Sequence, residues 1–283
     1  MLTIKDKSFG GERPLFRYEN TRFENVTIDP GESGMKFCRD IVADHCTFIG
    51  KYPLWHVDRS LITDCHFQVT ARSAIWYSND MVMRNCVIDG PKFFREMRGL
   101  TLDGVVIKDG DETFWKSRDL KIRGVELHGG TYPFMFCENL EVDSLQTDSL
   151  YIFQYIKNAV IRNCRIDTKD AFWETENVTI YDSVLSGEYL GWHSRNLKLV
   201  RCHITGEQPL CYVEGLRMED CTFGEDCDRV FEDSSLDASI IGRITEVKNP
   251  RTGRIVADSI GKITFDAYAL PPSDCIIEQR SQK

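Results

Sequence analysis

The segments Leu100-Thr-Leu-Asp-Gly-Val-Val-Ile107 and Leu120-Lys-Ile-Arg-Gly-Val-Glu-Leu127 repeat one pattern at a spacing of about twenty residues. The pattern returns in Ala159-Val-Ile-Arg-Asn-Cys-Arg-Ile166, in Leu197-Lys-Leu-Val-Arg-Cys-His-Ile204 and in Leu216-Arg-Met-Glu-Asp-Cys-Thr-Phe223. A fixed period of this size is typical of a solenoid, in which each unit packs on its neighbours along one axis.

Each unit reads as short strands joined by bends. Apolar and polar residues alternate, as at Leu120 and Ile122, and alternation at period two predicts a strand. The two residues skipped between Ile122 and Val125 predict a corner, and Gly, Asn or Asp, which tolerate positive φ, recur there. A second corner precedes each unit, with Asp80, Gly99, Asp119, Asn139, Asn158, Asn177, Asn196 and Gly215 in one column.

Three short strands and three bends per unit predict an all-β fold, a single-stranded right-handed parallel β-helix of about ten short coils. A pentapeptide-repeat helix is the alternative. It is disfavoured because only one pentapeptide-like unit falls in each coil and because the coil length drifts along the chain.

The repeat does not cover the whole chain. Residues 1–20 do not fit it and are expected to form an N-terminal cap, while residues 21–235 form the β-helix. Residues 236–283 are expected to be a C-terminal cap or tail, with a hairpin around the turn Asn249-Pro-Arg-Thr-Gly253.

Composition limits the partners. The 283 residues are 42% hydrophobic, carry a net charge of −9 and have a pI near 5.3. Because no basic cluster occurs, we expect neither nucleic acid nor a membrane as a partner, and an acidic surface disfavours a polyanionic substrate. No secretory signal or transmembrane run is visible, so a cytoplasmic location is expected. No cofactor is expected.

The eleven cysteines do not suggest a disulfide framework, because their number is odd and they are not clustered. Six of them share one column of the repeat with Val, Leu and Ser, which indicates small buried side chains. We therefore expect reduced core thiols rather than a metal site. The six are Cys46, Cys65, Cys86, Cys164, Cys202 and Cys221.

Two aromatic columns run along the third predicted strand. All five tryptophans, Trp55, Trp76, Trp115, Trp173 and Trp192, share one column, and a Leu/Ile/Phe column lies one residue earlier. Neighbouring residues on a strand point to opposite faces. Because mostly small residues share the parity of the tryptophans, we expect the tryptophans to point inward and the other column outward; a β-bulge in this strand would reverse the two orientations. The ligand-binding candidates are then Phe94, Phe114, Phe134, Phe153 and Phe172, with Tyr77, Tyr155 and Tyr212 nearby.

An exposed apolar strip of this length usually marks an interface or a binding groove. Three interpretations remain open. The C-terminal tail covers the strip, another subunit covers it, or an extended ligand such as a glycan lies along it.

The sequence indicates catalytic residues less clearly than it indicates the fold. The weak catalytic candidates are Glu96, Lys116, Glu174 and His193, but Glu96 and Glu174 are several coils apart, too far for a glycosidase carboxylate pair. A salt bridge between Glu96 and Lys116 on a solvated face is the simpler interpretation. The acidic turn Asp109-Gly-Asp111-Glu112 is a weak calcium candidate that lacks the spacing of a calcium loop, so we expect no metal.

The coil pattern resembles the pectin-lyase-like right-handed β-helix superfamily. With its opening Ser8-Phe-Gly-Gly-Glu-Arg-Pro-Leu-Phe16, the chain looks like an uncharacterised bacterial family within it, domain of unknown function 3737. The resemblance implies a polysaccharide lyase or glycoside hydrolase if the protein is an enzyme. This sequence contains none of the carboxylate or arginine motifs of those enzymes. The resemblance therefore identifies no catalytic residue in this chain.

Two hypotheses follow. In the first, the protein binds or processes a carbohydrate along the aromatic face. In the second, it is a non-catalytic scaffold whose aromatic face forms a homo-oligomer.

Overall fold

The computed structural model describes residues 1–268 and 272–281, where every regular element is a β-strand. The described part contains no helix with the length and apolar character needed to cross a bilayer. Two compact units, residues 1–149 (unit 1) and 150–283 (unit 2), are described separately.

Unit 1 contains a long sheet and a short sheet, both parallel. Odd-numbered strands form the long sheet and even-numbered strands the short one. The strands are β1 (Leu2–Lys5), β2 (Ser8–Glu12), β3 (Glu19–Glu24), β4 (Thr27–Glu32), β5 (Arg39–Asp44), β6 (Thr47–Phe48), β7 (Asp58–Thr63), β8 (His66–Phe67), β9 (Asn79–Arg84), β10 (Val87–Ile88), β11 (Arg98–Asp103), β12 (Val106–Ile107), β13 (Arg118–Arg123), β14 (Glu126–Leu127), β15 (Glu138–Asp143) and β16 (Gln146–Thr147).

Unit 2 has the same two parallel sheets. Its strands are β17 (Lys157–Arg162), β18 (Arg165–Asp167), β19 (Glu176–Tyr181), β20 (Val184–Ser186), β21 (Arg195–Val200), β22 (His203–Thr205), β23 (Leu216–Phe223), β24 (Ser235–Lys248), β25 (Thr252–Thr264) and β26 (Ile276–Gln279). The long sheet runs through β17, β19, β21 and β23 to β26, and the short sheet runs through β18, β20 and β22 to the end of β23.

Like side chains stack over like in the interior. Leu100 pairs with Leu120 and Leu120 with Leu140, and all three side chains are buried. The predicted fold, a right-handed parallel β-helix, is therefore confirmed, with about 14 coils rather than ten within residues 1–268 and 272–281.

The sheets extend into both expected caps. Strands β1 and β2 pair in parallel with β3 and β4, so residues 1–20 already contribute a coil. At the other end, β24 and β25 pair in parallel over most of their length, so the hairpin expected around Asn249–Gly253 is wrong. Residues 269–271 and 282–283 of the expected tail lie outside the described residues.

The bends are in the predicted conformation. Every member of the column from Asp80 to Gly215 has a positive φ, and so do Gly104 and Gly124 at the other corner. Asn, Asp and Gly accept this conformation at low cost, which explains why they recur at these positions.

In the coils that precede β24, the third side is a series of turns and bends rather than a strand, and this reverses the expected orientation of the aromatic columns. In one coil, Phe114 and Lys116 both have positive φ, and the Ser117 N–H donates to the Phe114 carbonyl across a turn with Lys116 in its third position, as in type II turns. Side chains therefore do not alternate. Phe114 points inward, Trp115 is half-buried and Lys116 is exposed.

The prediction that the phenylalanine column faces outward is thus wrong. Phe94, Phe114 and Phe134 are fully buried and stack with centroid distances of 5.1 and 4.1 Å, and Phe153 stacks on Phe172 at 5.1 Å. These five side chains form core ladders and are unavailable to a ligand.

Small hydroxyl and thiol groups satisfy the backbone where the turns end. Ser117 Oγ accepts the Met97 N–H at 3.1 Å and donates to the Phe94 carbonyl at 2.8 Å. Cys137, one coil later, donates its thiol to the Phe114 carbonyl at 2.6 Å. Because a buried backbone group without a partner is costly, these side chains stabilise the corner.

The six cysteines of the repeat column are buried free thiols, as predicted. The Cys46 N–H points to the Cys65 sulfur at 3.2 Å, and Cys65 in turn donates to the Thr63 carbonyl at 3.1 Å. Burial also raises the pKa of the Cys38 and Cys211 thiols to about 12, so they are neutral at physiological pH.

Replacing Phe114 by Ala should destabilise the protein by about 3–5 kcal/mol, because the change leaves a cavity between two stacked rings. Chemical denaturation monitored by circular dichroism measures this loss. The control is Lys116→Ala in the same coil, whose exposed side chain should contribute little. Equal stability of the two variants would contradict a buried phenylalanine ladder.

Replacing Ser117 by Ala should cost about 1–3 kcal/mol, because it leaves the buried Met97 N–H and Phe94 carbonyl unpaired. Ser117→Cys should retain most of the stability, since Cys137 already fills the equivalent position. If both variants unfold at the same denaturant concentration, the hydroxyl does not stabilise this corner.

Candidate functional site

The tryptophans line the outer edge of the turn side, contrary to the expectation that they point inward. Each is half-buried, and four indole N–H groups donate to a main-chain carbonyl of the following coil. The acceptors are the carbonyls of Ser73, Lys92, Tyr189 and Gln208, at 2.6–2.8 Å. Trp173 and Trp192 stack at 5.5 Å with nearly parallel rings.

The next residue of each coil points to solvent, and three predicted ligand-binding tyrosines are in this column. Tyr77 and Tyr155 are 36% and 39% exposed, and Tyr212 is half-buried. Tyr77 stacks on His56 at 5.1 Å in unit 1, and Tyr212 stacks on His193 at 4.8 Å in unit 2. The outward aromatic surface therefore combines tyrosine, histidine and tryptophan with Phe37 and Phe136, which are 41% and 40% exposed.

The weak catalytic candidates lie in this same column. Glu96 and Lys116 are exposed, but no ion pair joins them anywhere in the described chain, so the salt bridge expected between them is not formed. Glu174 and His193 are exposed on successive coils of unit 2, and the Glu174 N–H donates to the Trp192 carbonyl. Within residues 1–268 and 272–281, neither side chain has a hydrogen-bonding or ion-pair partner.

The acidic turn of unit 1 is occupied by cationic side chains. Glu112 accepts from Arg95 at 2.8 Å and lies 3.1 Å from the Lys92 ammonium. Asp111 accepts from the Thr131 hydroxyl at 2.9 Å, and Asp109 accepts the Asp111 N–H at 3.1 Å. Two cations beside Glu112 oppose the binding of calcium at this turn.

A different group could in principle hold a metal. Asp44, His45 and Asp64 offer ligand atoms within 4.8 Å of one another. Asp44 already accepts hydrogen bonds from the His45 ring and from the Thr63 hydroxyl, at 2.9 Å each, and pairs with Arg22. Its oxygens are thus engaged, and exposed acidic groups of this kind are common without a metal.

The sequence did not single out Asp170, the most unusual carboxylate of the turn side. It is only 8% exposed, its Oδ1 is buried without a hydrogen-bond partner, and burial raises its pKa. The neighbouring Lys169 ammonium binds Glu188 instead, at 2.7 Å. A buried carboxylate without a compensating partner is costly and often marks a functional position.

Sequence reasoning could not have found Asp170, because in its column the other coils carry residues as different as Tyr, Lys and Glu. The unsatisfied oxygen becomes visible only when burial and hydrogen bonding are known. Asp170 shares the turn side of unit 2 with the aromatic side chains of Trp173, Tyr189 and Trp192 and with the exposed polar side chains of Glu174 and His193.

Several solved structures have a similar backbone trace. They include the A-module of a mannuronan C-5 epimerase from Azotobacter vinelandii, with 8% identity, a TM-score of 0.41 and coverage of 96% of this chain and 90% of that one. The tailspike protein of E. coli bacteriophage HK620, in complex with a pentasaccharide, has 8% identity, a TM-score of 0.44 and coverage of 97% and 72%. The surface adhesin PfbA of Streptococcus pneumoniae has 10% identity, a TM-score of 0.38 and coverage of 93% and 81%.

Likenesses this low carry no argument about activity. No curated protein gives a significant match. A family model described as "Protein of unknown function (DUF3737)" matches residues 2–278. Since this match spans nearly the whole chain, the protein belongs to the DUF3737 family.

Proposed function

We propose that the protein binds a carbohydrate along the turn side of unit 2. The contact surface is the unit 2 aromatic face, defined as Tyr155, Trp173, Tyr189, Trp192, His193 and Tyr212. The observation that carries the proposal is the combination of partly exposed aromatic rings with Glu174 and His193, whose side chains have no hydrogen-bonding or ion-pair partner among the described residues.

This combination suits a polyhydroxylated ligand. Aromatic rings offer apolar contact area to the C–H groups of a sugar, and carboxylate and imidazole groups bond its hydroxyls. Because each coil presents one residue of every column, the face repeats at about the spacing of parallel strands, ~4.8 Å. An extended oligosaccharide could therefore contact several coils in the same way.

Unit 1 is a poorer candidate, because its own side chains fill the corresponding places. The Arg95 guanidinium lies 4.7 Å from the Trp76 ring and 5.1 Å from the Trp115 ring, and it is bound to Glu112. Trp76, Trp115 and Glu112 are thus already engaged with one cation of the chain, whereas the corresponding contact of the unit 2 face is Lys169, 5.8 Å from the Tyr189 ring.

The homo-oligomer alternative is not favoured. It rested on an outward strip of phenylalanines, and those side chains are buried in the core. The remaining outward column mixes aromatic with charged residues, which resembles a ligand surface more than an obligate interface.

Binding should be detectable as a change in tryptophan fluorescence when the protein is titrated with a panel of neutral, amino and acidic oligosaccharides. Tyr212→Ala should weaken binding about tenfold, because the ring and its stacked His193 lie on the proposed face. The matched control is Tyr77→Ala, which removes an equivalent ring stacked on His56 in unit 1. Equal affinities of the two variants, or no binding to any oligosaccharide, would contradict the proposal.

A further inference from the structure

The two units contain the same three turn positions with different occupants. The first position lies in the tryptophan column and holds a polar residue. The second lies one coil later and holds an acidic residue, and the third, three residues after the second, holds a tryptophan. The set in unit 1 is Arg95, Glu112 and Trp115, and the set in unit 2 is Gln154, Asp170 and Trp173. Both acidic residues have positive φ, so their backbones are alike.

In unit 1 this set is electrostatically complete. Arg95 Nη1 donates to Glu112 Oε2 at 2.8 Å, and the guanidinium lies 5.1 Å from the Trp115 ring. The Glu112 carboxylate is therefore paired with the Arg95 guanidinium, and that guanidinium makes a cation–π contact with Trp115.

In unit 2 the cation is missing from the set. Gln154 takes the place of Arg95, and its amide donates to the main-chain carbonyl of Asp170 at 3.0 Å rather than to the carboxylate. Asp170 Oδ1 is left buried and unpaired, and the residue as a whole keeps 8% of its surface exposed. The Lys169 ammonium compensates only in part, because it binds Glu188 at 2.7 Å and the pKa of Asp170 stays raised by burial.

We propose that Asp170 binds a cationic amine of the ligand, at the place beside Trp173 that the Arg95 guanidinium occupies beside Trp115. This inference rests on the proposed function, and it narrows the ligand to a carbohydrate with free amino groups. A protonated amine would give the buried carboxylate a charge-assisted hydrogen bond and would contact the edge or face of the indole. The net charge of −9 favours the approach of such a ligand.

The test compares two ligands that differ only in charge. The full chain is titrated by calorimetry, at about pH 6, with a glucosamine oligosaccharide and with its fully N-acetylated counterpart. The wild type should bind the free-amine form about tenfold or more tightly than the acetylated form, as expected for a charge-assisted bond. Asp170→Asn should remove this preference.

Two further variants sharpen the result. Glu112→Gln, the matched control, should keep the preference, because Glu112 already has an internal cation. Gln154→Arg should recreate the arrangement of unit 1 by placing a guanidinium beside Asp170. The Gln154→Arg variant should have a higher melting temperature than the wild type. It should no longer prefer the free-amine form but should still bind the acetylated form.

The failures are distinguishable. If the wild type binds both forms equally, or Asp170→Asn keeps the preference, the amine inference is overturned while carbohydrate binding stands. The same holds if the ligands found are only neutral or acidic glycans. If no oligosaccharide binds, both proposals are overturned.

Discussion

Main-chain hydrogen bonding from coil to coil is the constraint on which the rest of the structure depends. It operates in the strands and continues through the turns. The Phe114 N–H bonds to the preceding coil, at Phe93, and the Lys116 N–H bonds to the following coil, at Met135. Each coil must therefore bend where its neighbours bend. That requirement places bulky residues such as Phe114 in the left-handed region, which costs about 1–2 kcal/mol per residue, and core packing with shared hydrogen bonds offsets the cost.

The parts of the fold that follow from this constraint were readable in the sequence. Leu100, Leu120 and Leu140 recur at one position of the repeat, and this recurrence predicted that they stack. Asn and Gly recur at the bends because they adopt a positive φ at low energetic cost. The turn side was misread because period two applies only to extended backbone. A phenylalanine in the left-handed region carries no signal of its conformation, and the terminal coils were missed since their sequences depart from the repeat although their pairing does not.

The candidate site was only partly predictable. Tyr77, Tyr155 and Tyr212 were predicted to lie on the outer face and do face outward, but the sequence did not predict the importance of Asp170. Pairing in a solenoid joins residues of adjacent coils, as Arg95 joins Glu112, so a missing partner appears only when equivalent pairs are compared in three dimensions. Equivalent positions in different coils can thus be compared with one another. A side chain that has its ion-pair partner in one coil shows which partner is missing at the equivalent position of another coil.

The corner column that contains Ser117 and Cys137 has a consequence for how such a chain can change in length. Each hydroxyl or thiol serves the backbone of the coil before it, and the next coil supplies an equivalent group for its own backbone. Removal of one complete winding would bring together two groups that already match, whereas loss of a few residues would shift every later contact out of phase. The architecture should therefore tolerate duplication or deletion in whole windings, and its length is a quantity that evolution can adjust in steps.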